Sequence, residues 1–294
     1  MNSYVITVGT FILIQAIAAC GLNVIVGFAG QISLGHAAFV GIGAYSAAIL
    51  STRFGMTFWE ALPCVIAISG SIGFLCGLPS IRVREDFLAI TTIGVNFIVE
   101  SVFLYVPFFG GALGIGGIPR IYFWGIRLKG ASFFLLCLTF FILAFLLVWL
   151  FSKSWAGLGC ISLREEETAA STVGISSVKY KLFAFILGTS LAGLSGALYA
   201  HAMRFISAED FGFPASVMLL SIIVLGGMGT LWGPLVGAII LGFLPELFRP
   251  FAEYRLLMYA LLLLCMIRYQ PSGLLGENSL AKNVFGKLLQ RRVS

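Results

Sequence analysis

Charge is what this sequence has least of. Asp, Glu, Lys and Arg make up 10% of its 294 residues, whereas 60% are apolar, and mean hydropathy is +1.04. Water-soluble domains carry roughly 25% charged residues, and a chain this apolar could not cover its surface in water. Soluble globular, disordered and fibrous classes are thereby excluded. Histidine is nearly absent, at two residues. The six cysteines (20, 64, 76, 137, 160 and 265) lie singly, mostly inside apolar runs and without metal-type spacing. Five are expected in the membrane core and Cys160 in a loop, with no disulfide framework. No G-x-x-x-x-G-K-[ST] phosphate loop, H-E-x-x-H pair or Cys/His set occurs, so the chain is expected to hydrolyse no nucleotide and to hold no cofactor or metal. The net charge of +6 is scattered one or two residues at a time between apolar runs, which suits membrane loops and not a nucleic-acid surface. The opening Met1-Asn2-Ser3-Tyr4 carries no Lys or Arg and precedes no small-residue cleavage site, so the first apolar run is expected to be a retained helix.

Long apolar runs dominate what is there. Nine are long enough to span a bilayer or nearly so, at about 4–26, 36–51, 58–78, 86–107, 132–151, 180–203, 214–229, 233–248 and 254–270. The expected fold is an all-α integral membrane bundle of roughly 8–10 helices. A membrane domain over 1–276 would include a polar loop at about 152–179, followed by a basic tail over 277–294. The tail carries Lys282, Lys287, Arg291 and Arg292 against Glu277, which places it in the cytoplasm. Counting helices back puts loop 152–179 on the same side, and the acidic connection 204–213 and the N-terminus outside. Loop 108–131, with Arg120, Arg127 and Lys129 and no acid, then also falls outside. That placement runs against the usual charge bias: either a helix is miscounted upstream, or the cations have a task there such as facing an acidic partner.

The 35 glycines are clustered. Gly73-x-x-x-Gly77 and Gly229-x-x-x-Gly233-x-x-x-Gly237 are spacings that let helix backbones touch. Gly226-Gly227-Met228-Gly229 and Gly233-Pro234 mark a place where a helix turns or unwinds.

Three constellations could carry function. Residues 23–36 form a polar, Gly-punctuated break between two apolar runs, with Asn23, Gln31, Ser33 and His36 as donors and acceptors. Irregular backbone at membrane depth persists where protein or a water-filled path satisfies it; a short interfacial loop is the competing reading. Asn96 and Glu100 stand four apart on one helix face, and an ionisable group within a span is a functional candidate because burying it is costly. In loop 152–179, Ser162 and Glu165 match a capping box, and Glu165, Glu166 and Glu167 fall in the first turn the box would open. Ala169 and Ala170 continue that turn and Gly174 suits its end. A helix of about ten residues over 162–173 is expected, either solvated or docked on a cytoplasmic partner.

At this loop the sequence resembles the coupling loop of ABC importer permeases, and the whole chain resembles the LivM-type permease family of branched-chain amino acid importers. Leu22–Phe39, Arg82–Gly94, Gly157–Ala200, Val224–Arg249 and the closing stretch Arg268–Gly276 carry the likeness in order. The resemblance implies a bacterial inner-membrane protein, a LivH-type second permease, two cytoplasmic ATPase subunits and an extracytoplasmic substrate-binding protein delivering a small molecule. It implies that Arg164, Glu165, Glu166, Ala169, Ala170 and Gly174 seat in the ATPase. Glu85 stands where the family commonly has Gly, and Ser162 and Thr172 where larger or more basic residues are common. Relatives with similar motifs are thought to carry urea, short amides or aromatic acids. An ion-coupled secondary transporter and an intramembrane enzyme using Ser33, His36 or Glu100 are the readings from other classes.

Overall fold

A computed structural model describes residues 3–80, 85–123, 125–247, 261, 264, 268 and 273–275. The ninth apolar run, the Arg82 and Arg84 positions and the basic tail lie outside these residues or nearly so. Among the described residues, six helices are long and apolar enough to cross a membrane, and two shorter apolar helices accompany them. The protein is an all-α multi-pass membrane protein.

Helix α1 (Ser3–Leu22) continues without a break into a π-helical turn, Asn23–Phe28, all of it buried. Because the π turn widens the spiral by one residue, it offsets the side chains that follow from the face set by α1. After an irregular stretch at 29–35, α2 (His36–Thr52) runs back along the bundle. The helices α3 (Phe58–Ser80), α4 (Glu85–Tyr105) and α5 (Ala131–Lys153) follow. Two short helices, α6 (Trp155–Glu165) and α7 (Glu167–Thr172), precede the long α8 (Ser177–Met203). Helices α9 (Phe213–Gly226) and α10 (Gly233–Leu247) form a hairpin.

The centre of the bundle is α1, α2 and α8, whose small residues and fully buried Phe39, Tyr45 and Phe185 pack together. The outer helices leave large apolar side chains bare, among them Leu75, Ile90, Ile98 and Leu150. With lipid or another apolar surface outside, these residues need no burial within the chain. The α9–α10 hairpin closes through glycine: a Cβ on Gly237 would lie 1.9 Å from the Ile222 carbonyl oxygen. Gly237→Val should therefore abolish monodisperse protein in detergent, whereas Gly94→Ala, with nothing within 4 Å of its added carbon, should leave the yield unchanged. Size-exclusion profiles of the two variants check this.

The connections sort to opposite ends. Loop 106–130 is ordered at one end by two 3-10 turns and a short hairpin of β2 (Tyr122–Phe123) with β3 (Ile126–Arg127). There β1 (Ile115–Gly116) pairs with β4 (Phe205–Ile206), just beyond α8. Trp59 donates from Nε1 to the Tyr122 carbonyl at 3.0 Å, and Arg53 lies 4.6 Å above the Phe108 ring. Loop 108–131 is thus a structured cap. At the other end lie α6, α7, the π turn and the α9–α10 turn. Residues 273–275 join them, since Leu274 and Leu275 donate to Leu225 and Gly226 at 3.0 and 3.1 Å.

Candidate functional site

Helix α6 begins where Ser154 Oγ accepts from the Gly157 amide at 3.2 Å, an ordinary N-cap. Ser162 therefore lies inside a helix already under way, and its hydroxyl donates back to the Leu158 carbonyl at 3.0 Å. The capping box expected of Ser162 and Glu165 does not form. The single helix expected over 162–173 is instead two, broken at Glu166, whose backbone is extended (φ −154°, ψ 99°) and serves as the N-cap of α7. Only Glu167 of the three acids falls in the first turn of α7. It pairs with Lys181 of α8 at 2.8 Å and pins α7 to the bundle. Gly174 ends α7 as expected, with φ +87° and with Ile175 donating to Ala170 at 3.1 Å, the left-handed closure glycine favours.

Burial separates the two alanines. Ala170 faces inward, while Ala169 is exposed together with Glu165, Glu166, Thr172 and Val173. Cys160 lies in this connection, on α6, and is fully buried; its thiol donates to the Tyr180 carbonyl at 3.4 Å. Burial pushes its pKa up to about 12, so the reactive thiolate is about a thousandfold scarcer near neutral pH than for a thiol of pKa 9. Maleimide should leave Cys160 unlabelled at pH 7.5 under conditions that label a Val173→Cys variant within minutes; mass spectrometry of the labelled chain decides it.

Arg164 connects this segment to the membrane part. Its guanidinium donates to the carbonyl of Gly27, in the last turn of the π helix. A cation at a helix C-terminus satisfies a stranded carbonyl and complements the helix dipole. The opening it occupies is cut for it by glycine. A Cβ on Gly229, itself at φ +76°, would lie 2.6 Å from the Arg164 guanidinium, and one on Gly27 would lie 2.5 Å from the Gly229 amide. Asn23 completes the junction: its Oδ1 accepts from the Gly229 amide and its Nδ2 donates to the Thr230 carbonyl, both at 2.9 Å. Helix α1, the α9–α10 turn and α6 thus meet at one node, and Asn23 belongs to it and not with the rest of the 23–36 break.

The remaining polar residues of the break form a second group. Gln31, Ser33 and His36 are 0–1% exposed. Gln31 Oε1 and Ser33 Oγ have no hydrogen-bond partner among the described residues, and the His36 ring has no side-chain partner, only the Ala18 backbone near it. Burying such groups unsatisfied costs about 1–3 kcal/mol each, so each can take a polar partner. Asn96 is brought to the same layer. It accepts from Ser216 Oγ at 2.8 Å, and that oxygen accepts from the Ala37 amide at 3.0 Å, one residue after His36. Thr92, one turn before Asn96, accepts from the Leu34 amide at 3.0 Å. Glu100 is only half-buried, one turn further along, with its carboxylate against Gly212. Ser33 and His36 have no carboxylate partner among the described residues, and no cluster of three His, Cys, Asp or Glu there could hold a metal.

Sequence reasoning missed Thr92 and Ser216. Thr92 was within reach, since 92, 96 and 100 share one helical face. Nothing local marks Ser216.

The family model described as branched-chain amino acid transport system, permease component, matches residues 4–267. The LivM permease protein of the high-affinity branched-chain amino acid system of Salmonella typhimurium is 34% identical, over 92% of this chain and 69% of its own length. That of Escherichia coli matches to the same extent. The LivH permease protein of Salmonella typhimurium is 25% identical over 91% of this chain and 92% of its own. No solved structure matches the chain.

Proposed function

Since this chain belongs to the family of permease components of branched-chain amino acid transport systems, we propose that it is one membrane-spanning half of an ATP-driven importer of branched-chain amino acids. The carrying observation is the node that joins α6 to two membrane segments through Arg164. ATP is hydrolysed on separate cytoplasmic subunits, which seat against the exposed side of α6–α7, at Glu165, Glu166 and Ala169. Their closure displaces this segment. Arg164 passes the displacement to Gly27, and Asn23 passes it to the α9–α10 turn. The 29–36 break then shifts, so that Gln31, Ser33, His36 and Asn96 line a path open to one side at a time. A LivH-type permease supplies the other half, and a binding protein delivers the amino acid at the end capped by loop 106–130. That end faces outward from the bacterial inner membrane, and the tail over 277–294 lies inside.

The test is purification of the chain co-expressed with the genes beside its own, followed by leucine uptake into vesicles. An ATPase subunit that copurifies, and uptake that requires ATP, is the expected result. Ala169→Arg should release that subunit while the chain stays folded; Ala170→Arg is a poor probe because Ala170 is buried. A chain that purifies without an ATPase and drives uptake from an ion gradient would overturn the reading.

A further inference from the structure

At the end of the bundle opposite α6 and α7, the start of α1, the start of α5, the end of α8 and loop 106–130 line an open cavity of about 240 Å³. Arg120, Lys129 and Arg204 line it, and no Asp or Glu does. Arg204 is the single non-glycine residue at positive φ (62°) among the described residues, and its Nε donates to the Ile118 carbonyl at 3.3 Å, fixing the guanidinium stem. The acids nearest in sequence, Glu209 and Asp210, do not line the cavity; Asp210 turns back to accept from the Ser207 amide at 2.9 Å. His201, also on the wall, is engaged within the bundle: Nδ1 lies 2.9 Å from the Ala197 carbonyl and Nε2 lies 3.4 Å from Ser51 Oγ. Helix α5 starts at the cavity after Gly130 without any side-chain cap. Three cations and an uncapped helix start facing one space make an anion site.

The depth and the walls decide which anion. Thr7, Lys129, Gly130 and Arg204 all lie within about one turn of the ends of their helices, the level of a bilayer's phosphates. Beside the cations the lining is apolar: Ile121 and Leu128 from the loop, and Ile6, Phe11 and Phe133 from the first turns of α1 and α5. From there Leu136, Phe140, Leu143 and Leu147 continue down the adjoining side of α5, the first two part-exposed and the last two exposed. A soluble anion would have no use for such a wall. We propose that this cavity binds the phosphodiester headgroup of an anionic glycerophospholipid, with its acyl chains laid along the bare face of α5. The proposal needs only that the chain spans a membrane, and it stands or falls apart from the transport reading.

Native mass spectrometry of the full chain in detergent, titrated with dioleoyl phosphatidylglycerol or dioleoyl phosphatidylcholine, tests it. One phosphatidylglycerol should be retained at concentrations where phosphatidylcholine is not. A basic residue near a membrane surface adds about one kcal/mol to the attraction for anionic lipid, so the Arg120→Gln/Lys129→Gln double variant should bind phosphatidylglycerol about 30-fold more weakly. Arg120→Lys/Lys129→Arg should retain it, as should Arg127→Gln, which removes a loop cation outside the lining. Equal retention of the two lipids would overturn the proposal, as would an equal loss in Arg127→Gln. Displacement of the lipid by an equimolar amount of inorganic phosphate would assign the site to a soluble anion instead. A double variant that keeps its lipid but loses an acidic protein partner would assign the cations to docking.

Discussion

Arg164→Ala is expected to lower substrate uptake about 10- to 150-fold while the chain still inserts and still holds its ATPase. The range follows from the bond removed: a hydrogen bond with a charged partner contributes about 1.5–3 kcal/mol, and that amount of lost coupling between two sites scales the response by the same factor. No other described side chain donates to the Gly27 carbonyl, so the variant leaves the end of the π helix without its link to α6. Because Arg164 lies in α6 and is an exposed residue overall, loss of the guanidinium should leave α6 folded. Arg164→Lys should recover part of the uptake, since a lysine can reach a single carbonyl but lacks the guanidinium's planar fork. Uptake and ATP hydrolysis measured in the same vesicles separate the outcomes. A parallel fall in both would indicate lost assembly, and unchanged uptake would remove Arg164 from transmission.

Asn23→Leu should lower stability strongly while the chain still folds. The side chain is fully buried and leucine is similar in size, yet it would strand the Gly229 amide and the Thr230 carbonyl at once. At about 1–3 kcal/mol per buried unsatisfied group the cost is roughly 2–6 kcal/mol, a large part of the margin that keeps a protein folded. The α9–α10 turn should loosen first, because Thr230 would then be its main internal tie, through the Gly227 carbonyl at 2.8 Å and the Gly233 amide at 3.1 Å. Thermal unfolding in detergent should shift down clearly, and a cysteine placed at Met228 should become more reactive. Asn23→Asp keeps the acceptor for Gly229 and should lose less. An unfolding temperature unchanged in Asn23→Leu would mean that the turn is held from elsewhere.

Most spans were legible in the sequence because a bilayer imposes one strong rule, some 20 apolar residues per helix, and the first eight apolar runs became helices. Legibility failed where the signal is local geometry or distant pairing. The π turn at 23–28 carries the same apolar pattern as the helix before it, so periodicity could not set it apart. The Ser162–Glu165 pair satisfied a motif whose meaning depends on where a helix begins. Ser154, eight residues earlier, had already taken the cap. Loop 108–131 showed unpaired cations and many glycines, but its pairing with Phe205–Ile206 lies too far along the chain for any short-range signal. The same holds for the node. Asn23, Gly27, Arg164 and Gly229 were each visible as residues of interest, and only the fold brings them together.

In the proposed mechanism, nucleotide bound by a cytoplasmic ATPase moves the Gly27–Gly229 junction through α6. The most direct measurement is the rate at which a Met228→Cys variant of the assembled transporter reacts with a membrane-impermeant maleimide from the α6–α7 side. The rate is compared without nucleotide and with ATP and vanadate. The account predicts a rate that changes several-fold on trapping, and a rate that no longer responds once Arg164→Ala is added. Equal rates in both nucleotide states, or an Arg164→Ala background that responds as the parent does, would contradict it.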